Sequence, residues 1–190
     1  ALFDALKFHV KDNDDGYQEE RFIAAHSIML ALEGIPAFYI NSLLCTENDY
    51  QKLKHSGQNR AINRHQWPLD MLVRKLSENT HHSRVYKELL RLIKLRKAQP
   101  AFHPNATQFT LNLGNDVLAL WRQSLDRDQS IFALHNITNR LISLQLSDLN
   151  LIETDIWTDL IAEESLKSTH EVLEIQPYQS MWITNKSSIM

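Results

Sequence analysis

Several small groups of residues in this sequence have the types that chemistry asks for, and their spacing decides what each can do. His81-His82 offers two imidazoles, but adjacent residues on one chain rarely share an ion, and no cysteine or carboxylate pattern flanks them. They read as a solvated pair ahead of a helix. Asp12, Asp14 and Asp15 resemble half of a calcium loop, yet the remaining ligand spacing is absent, so a solvated loop is expected. Glu163 and Glu164 are neighbours on a polar stretch and do not converge on one substrate. Trp121, Trp157 and Trp182 could make a sugar platform, but their positions on strand-like segments favour core packing. Asn136-Ile137-Thr138 fits the glycosylation sequon, in a chain with no export signal, and is read as chance.

The elements that would position these groups fall into two unlike halves. In the first, the polar loop Asp12–Gly16 precedes a helix expected from about Tyr17 to Leu32. Phe22, Ile23, Ala24, Ala25, Ile28, Met29, Leu30 and Leu32 cover more than one of its faces, the pattern of a helix buried on most sides. Gly34 stands where a C-terminal cap glycine belongs. The run Ile35-Pro36-Ala37-Phe38-Tyr39-Ile40 then has the composition of a strand buried in a parallel sheet. Such a strand needs neighbours, and the sequence around it offers none. Residues 41–67 turn polar and read as one long connection. Pro68 suits the first turn of a short helix to about Leu76. Ser83 is expected to cap a longer helix through Lys97, with Val85, Leu89, Leu92 and Ile93 as its apolar stripe. Lys94, Arg96 and Lys97 in its last turn suit the helix dipole, and Pro100 ends it.

After about Pro104 the hydrophobic period changes from 3.6 to 2. Strands are expected at 108–113, 116–123, 130–136, 141–146, 156–160, 172–175 and 180–184, with Gly114-Asn115 closing the first pair as a tight hairpin. Short strands at this spacing predict an antiparallel sandwich. The fold class expected is therefore α/β followed by all-β, with the boundary near residue 103.

Composition sets broad limits. The chain has 190 residues, 43% of them hydrophobic, and a formal net charge of -3, so no strong field favours nucleic acid or a membrane surface. No apolar run approaches the ~20 residues of a membrane helix. The single cysteine, Cys45, cannot form an internal disulfide, and a cytoplasmic setting is expected. No cofactor or metal motif is present, and none is expected to be needed. The opening Ala1-Leu2-Phe3-Asp4-Ala5-Leu6 reads as a chain entered in mid-fold.

Several segments resemble one family. Gly34-Ile-Pro-Ala-Phe-Tyr-Ile-Asn-Ser-Leu-Leu44 is similar to the last barrel strand and loop of the α-amylase superfamily. Asn48-Asp49 followed by Gly57-Gln-Asn-Arg-Ala-Ile-Asn-Arg64 resembles the sucrose phosphorylase group within it, which includes enzymes acting on sucrose, sucrose 6′-phosphate and glucosylglycerate. Leu2-Phe-Asp-Ala-Leu6, the helix Arg91–Phe102 and the closing Pro177–Ile183 resemble further family segments.

The resemblance implies that residues 1–103 are the C-terminal end of a (β/α)8 barrel and residues 104–190 a C-terminal β-sandwich. It implies a retaining double displacement that passes glucosyl from an α-glucoside to phosphate, using two carboxylates about 5–5.5 Å apart. Those carboxylates lie upstream of the matching segment, so no catalytic residue is expected in this chain. Arg60 is implied to contact glucosyl hydroxyls in the innermost sugar subsite, where a planar guanidinium suits oxygen acceptors. Asp49 is a candidate for the acceptor side, against the alternative of a loop cap or turn residue. Asn63 and Arg64 are expected to hold the loop together. Cys45 stands where the related enzymes usually have glycine, and Glu47 replaces a frequent basic residue.

The implied partners are a sugar substrate and phosphate, with either a homodimer or a missing upstream barrel segment covering the apolar residues of 17–40. A truncated, self-associating protein without activity and a portion of an α-glucoside hydrolase are the alternatives.

Overall fold

The computed structural model describes residues 1–7, 9–10, 13–149, 151, 156–166, 168 and 172–186. Asp12 lies outside them. The described residues gather into two compact units, 1–23 with 37–91 and 24–36 with 92–190. Among them no helix is long and apolar enough to cross a membrane.

The first unit contains helix α1 (Leu2–Ala5), a two-stranded antiparallel ladder of β1 (His9–Val10) and β2 (Asn13–Asp14), and the first part of α2 (Gln18–Ala31). Helices α3 (Ile40–Leu43), α4 (Tyr50–Ser56) and α5 (Leu69–Ser77) follow, then the first part of α6 (His81–Ala98). Its core joins Phe3, Phe22, Cys45, Val85 and Leu89, with the Phe3 and Phe22 rings edge-to-face at 5.4 Å. Asp15 is not part of a solvated loop. Arg21 grips its two oxygens at 2.6 and 2.9 Å, which holds the Asp15 carboxyl below the usual range.

Three expectations for this half are corrected. The parallel strand over Ile35–Ile40 does not form. No described strand pairs with residues 35–39, and Ile35 is 83% exposed. A strand buried on both faces is stable only between neighbours, and none is at hand. Residues 41–67 are not one open connection but carry α3, α4 and a 3-10 turn at Asn59–Asn63. Helix α6 begins at His81, ahead of Ser83. Thr80 is its cap, with Oγ1 accepting from the Ser83 N–H at 3.2 Å.

His81 and His82 are consequently inside the helix and not a solvated pair. His82 is buried and its Nδ1 donates to the Leu44 carbonyl at 2.9 Å. The His81 ring stacks on Phe3 at 5.2 Å, and burial, then the charge of His82, lowers its pKa.

Cys45 has a physical account. Its φ is +52°, in the left-handed region that glycine enters without a Cβ penalty. Its N–H donates to Ser42 O at 2.9 Å, and Thr46 N–H donates to Asn41 O at 2.8 Å. These two bonds are the Schellman pattern that closes helix α3. The backbone thus asks for glycine where the sequence has cysteine, and the side chain that takes its place fills the core. Burial drives the Cys45 thiol well above the usual thiol range. Native protein is expected to resist alkylation by iodoacetamide at pH 8, and to react on unfolding in urea. Mass spectrometry reads both states, and rapid labelling of folded protein would contradict the placement.

The second unit is an antiparallel sandwich. Its larger sheet has the order β3 (Thr107–Leu111), β4 (Val117–Gln123), β5 (Ser130–Asn136), β10 (Ser180–Thr184), β7 (Thr158–Asp159) and β8 (Glu164–Ser165). The smaller pairs β6 (Ile142–Gln145) with β9 (Val172–Ile175). Strand alternation sends Val117, Ala119, Phe132, Leu134, Met181 and Ile183 into one core with Leu144, Leu173 and Ile175 of the smaller sheet. Trp157 and Trp182 are buried, and Trp121 packs against the core. The β3–β4 ladder stops at Leu111 and Ala119, so Gly114-Asn115 sits in a longer connection than a two-residue hairpin. Glu164 belongs to a strand the sequence did not suggest.

The sequon asparagine is fully buried. Asn136 Nδ2 donates to the carbonyls of Arg140, Ile175 and Gln176, while its Oδ1 accepts from Thr138 N–H and Oγ1. It is a structural hub with no atom to spare for a glycan.

The opposite face of the larger sheet is also covered, and it holds two buried arginines. Arg122 is fully buried and donates to the carbonyls of Ala31 at 2.9 Å, His103 at 3.0 Å and Ala106 at 3.4 Å. Arg96 donates to the carbonyls of Leu30 and Leu32, and to Gly34 at 2.8 Å. Together they satisfy the carbonyls left open at the C-terminus of α2, where cations are also favoured by the helix dipole. Arg96 therefore serves α2 rather than the end of its own helix. Burial, then the charge of Arg122, brings the Arg96 pKa down to about 10.

Candidate functional site

The polar stretch after residue 41 is tied into a single piece by hydrogen bonds across its length. Tyr39 Oη donates to Asn63 O at 3.2 Å, and Asn41 Nδ2 donates to His65 O at 3.0 Å. Asp49 N–H donates to Ile62 O at 2.7 Å, and Lys52 Nζ donates to Arg64 O at 2.5 Å. Asn63 and Arg64 thus do hold the stretch together, through their carbonyls. Helix α4 opens on the side chain of Asp49, whose Oδ1 accepts from Lys52 N–H at 2.8 Å, and closes on Gly57 at φ +64°.

Beside this cap lies an open cleft of about 350 Å³, lined in part by Glu47, Asp49, Tyr50, His65, Trp67 and His82. The second oxygen of Asp49 meets His65 Nδ1 at 2.7 Å. Two bonds therefore converge on one carboxylate. The Lys52 N–H first, and then His65, hold the Asp49 carboxyl below its usual range. The His65 ring stands edge-on to Trp67 at 4.7 Å, and Trp67 edge-on to His82 at 5.1 Å. Trp67 Nε1 donates to Thr46 Oγ1 at 3.0 Å, fixing the indole.

Of the two residues singled out from sequence, Asp49 lines this cleft and is at the same time the helix cap. Arg60 is exposed on the 3-10 turn and is not among the cleft's lining residues. His65 and Trp67 were not anticipated. Nothing in their spacing from Asp49 marks them, since the contact forms only once the stretch folds back. Among the described residues no group of three or more His, Cys, Asp or Glu side chains could hold a metal ion.

No protein-family model matches the chain. The chain is 33% identical to glucosylglycerate phosphorylase of Escherichia coli (strain K12) over 175 residues, which covers 91% of the chain and 30% of that protein. It is 31% identical to glucosylglycerate phosphorylase of Allomeiothermus silvanus over 184 residues, 96% of the chain and 30% of that protein. A sucrose 6(F)-phosphate phosphorylase of Thermoanaerobacterium thermosaccharolyticum is 30% identical over 60% of the chain and 22% of its own length. The chain is a homologue of a C-terminal portion of these α-glucoside phosphorylases. It spans about 30% of the length of the first two.

Solved structures agree on the fold. AmyP, in complex with maltose, superposes with a TM-score of 0.66 at 16% identity, over 89% of this chain and 35% of that one. Trehalose-6-phosphate hydrolase of Bacillus licheniformis does so with a TM-score of 0.60 at 15% identity, over 91% and 40%. What they share with this chain is the fold, helices followed by antiparallel sheets.

Proposed function

We propose that this chain supplies the C-terminal part of an α-glucoside phosphorylase acting in the cytoplasm. Residues 1–103 form the C-terminal end of the barrel and residues 104–190 the C-terminal β-sandwich. The activity is transfer of glucosyl from an α-glucoside to phosphate with retention, through a covalent glucosyl-enzyme. The carboxylates that carry this step belong to the portion of the relatives that the chain does not match. Arg60 contributes from the 41–67 stretch by contacting glucosyl hydroxyls. The observation that carries the reading is the similarity to two glucosylglycerate phosphorylases along more than nine-tenths of this chain.

The test pairs this chain with the unmatched portion of the E. coli relative by co-expression. The chain alone is expected to give no glucose 1-phosphate from glucosylglycerate and phosphate, and the pair to give it. Arg60→Ala is expected to lower the pair's rate by about tenfold, the scale of one lost charged contact. Transfer by the chain alone, or an inactive pair that nonetheless assembles, would overturn the reading.

Self-association is a second reading, favoured by helix α5. No residue of α5 is buried, and Leu69 and Val73, one turn apart, are 76% and 58% exposed. Sedimentation is expected to show a concentration-dependent dimer that Leu69→Lys with Val73→Lys disperses. A strict monomer before substitution counts against it.

A further inference from the structure

The cleft beside α4 has a wall chemistry of its own. We propose that it binds a small neutral polyol, and that His65, set by Asp49, accepts one of the polyol's hydroxyl hydrogens. The inference deepens the reading above and rests on it only in taking this stretch to face a hydroxyl-rich ligand.

The argument begins with the proton on His65. Asp49 lies below the usual carboxyl range, so it is ionised at neutral pH and can only accept. The proton shared with it at 2.7 Å therefore sits on Nδ1. In a neutral ring this leaves Nε2 as an acceptor, which suits a hydroxyl and rejects a carboxylate or phosphate oxygen. The carboxylates of Glu47 and Asp49 in the same wall oppose an anionic ligand further. Trp67 adds a fixed apolar surface, held by Thr46, against which the C–H face of a polyol packs. A volume of about 350 Å³ is at the small end of ligand sites and fits a molecule of hexose size or less. Asp49 is then a positioning residue that acts through His65, and its capping of α4 fixes the carboxylate that does so.

Saturation-transfer NMR on the full chain, with glycerol, D-glucose, D-glycerate and inorganic phosphate as probes, tests this. Glycerol or glucose is expected to give a signal, and the two anions none. His65→Phe keeps the ring but removes both nitrogens, and is expected to weaken binding about fivefold, as one lost hydrogen bond dictates. Nitrogen-detected ring spectra are expected to show the Nδ1–H form of His65, and Asp49→Asn to move the proton to Nε2 while α4 stays capped. Binding of an anion instead, no signal from either neutral probe, an unchanged signal in His65→Phe, or an Nε2–H ring before substitution would overturn the proposal. Polyol binding with no transfer from the co-expressed pair sinks the phosphorylase reading and leaves the cleft standing. Transfer without any effect of His65→Phe on the polyol signal does the reverse.

Discussion

Replacing Arg122 with methionine is expected to destabilise the second unit by about 3 kcal/mol, because the buried carbonyls of Ala31 and Ala106 lose a donor together, while the exposed His103 keeps the Ala106 N–H on its carbonyl. Methionine matches much of the side-chain volume, so the loss reads the hydrogen bonds rather than a cavity. Two effects work the other way: the guanidinium no longer has to be desolvated, and Arg96 is freed of a like charge. The penalty on the orphaned carbonyls outweighs both, since Ala31 sits in the last turn of α2, sealed from solvent, and Arg122 is the donor its carbonyl has among the described residues. Arg122→Lys keeps the charge and gives up the fork, so it is expected to fall between wild type and methionine. Urea denaturation measures the series. A methionine variant within about 0.5 kcal/mol of wild type, the range of an ordinary surface change, would show that the helix end does not depend on Arg122.

The second large effect is a loss of stability in mild acid, centred on His135. This residue is fully buried on β5 and pairs across the ladder with Ser180, its Nδ1 lying 2.7 Å from Ser180 Oγ. Nε2 is buried and has no hydrogen-bond partner among the described residues. Burial brings its pKa down to about 3, against about 6.5 in an unfolded chain. The folded state thus holds the ring neutral, and the unfolded state gains a proton first as the pH falls. The stability tied to this group is fully present above about pH 6.5 and is lost progressively between about 6.5 and about 3. By pH 4.5 the loss amounts to roughly 3 kcal/mol. His135→Gln has no such titration, so the stability gap between it and wild type should narrow by that amount from pH 7.5 to 4.5. Parallel curves would mean that the ring is protonated in the fold.

Why one half of the chain was more legible than the other follows from what each signal measures. The strands at 130–136, 172–175 and 180–184 have the bounds their alternation suggested, because a strand with one face in a core writes period 2 into the sequence. Arg122 escaped the same logic. A charged residue on the face away from a sandwich core reads as solvent-facing, whereas here that face lies under the end of α2. The strand expected at Ile35–Ile40 had the composition of a buried strand but not the neighbours, and composition alone cannot form a ladder. In the site, Asp49 read as a cap or turn residue because such roles are local, but the helix it opens was not foreseen. The His65 contact spans sixteen positions through a stretch that looked like open loop, and nothing local announces it. Cys45 is the converse case: the departure from glycine was plain, and the φ of +52° supplied its cost.

The four tryptophans have one more consequence. Trp67 is the only indole of residues 1–23 and 37–91, while Trp121, Trp157 and Trp182 all belong to the other unit. Each compact unit therefore carries its own fluorophore. Trp182, wholly sealed and 4.8 Å from the Phe102 ring, is shielded from dissolved quenchers, and Trp67 borders an open cleft. A Trp67→Phe protein emits from the sandwich alone, and its difference from wild type is the emission of the other unit. Two melting curves can be drawn from one cuvette, and their coincidence or separation states whether the chain unfolds as one cooperative body or as two.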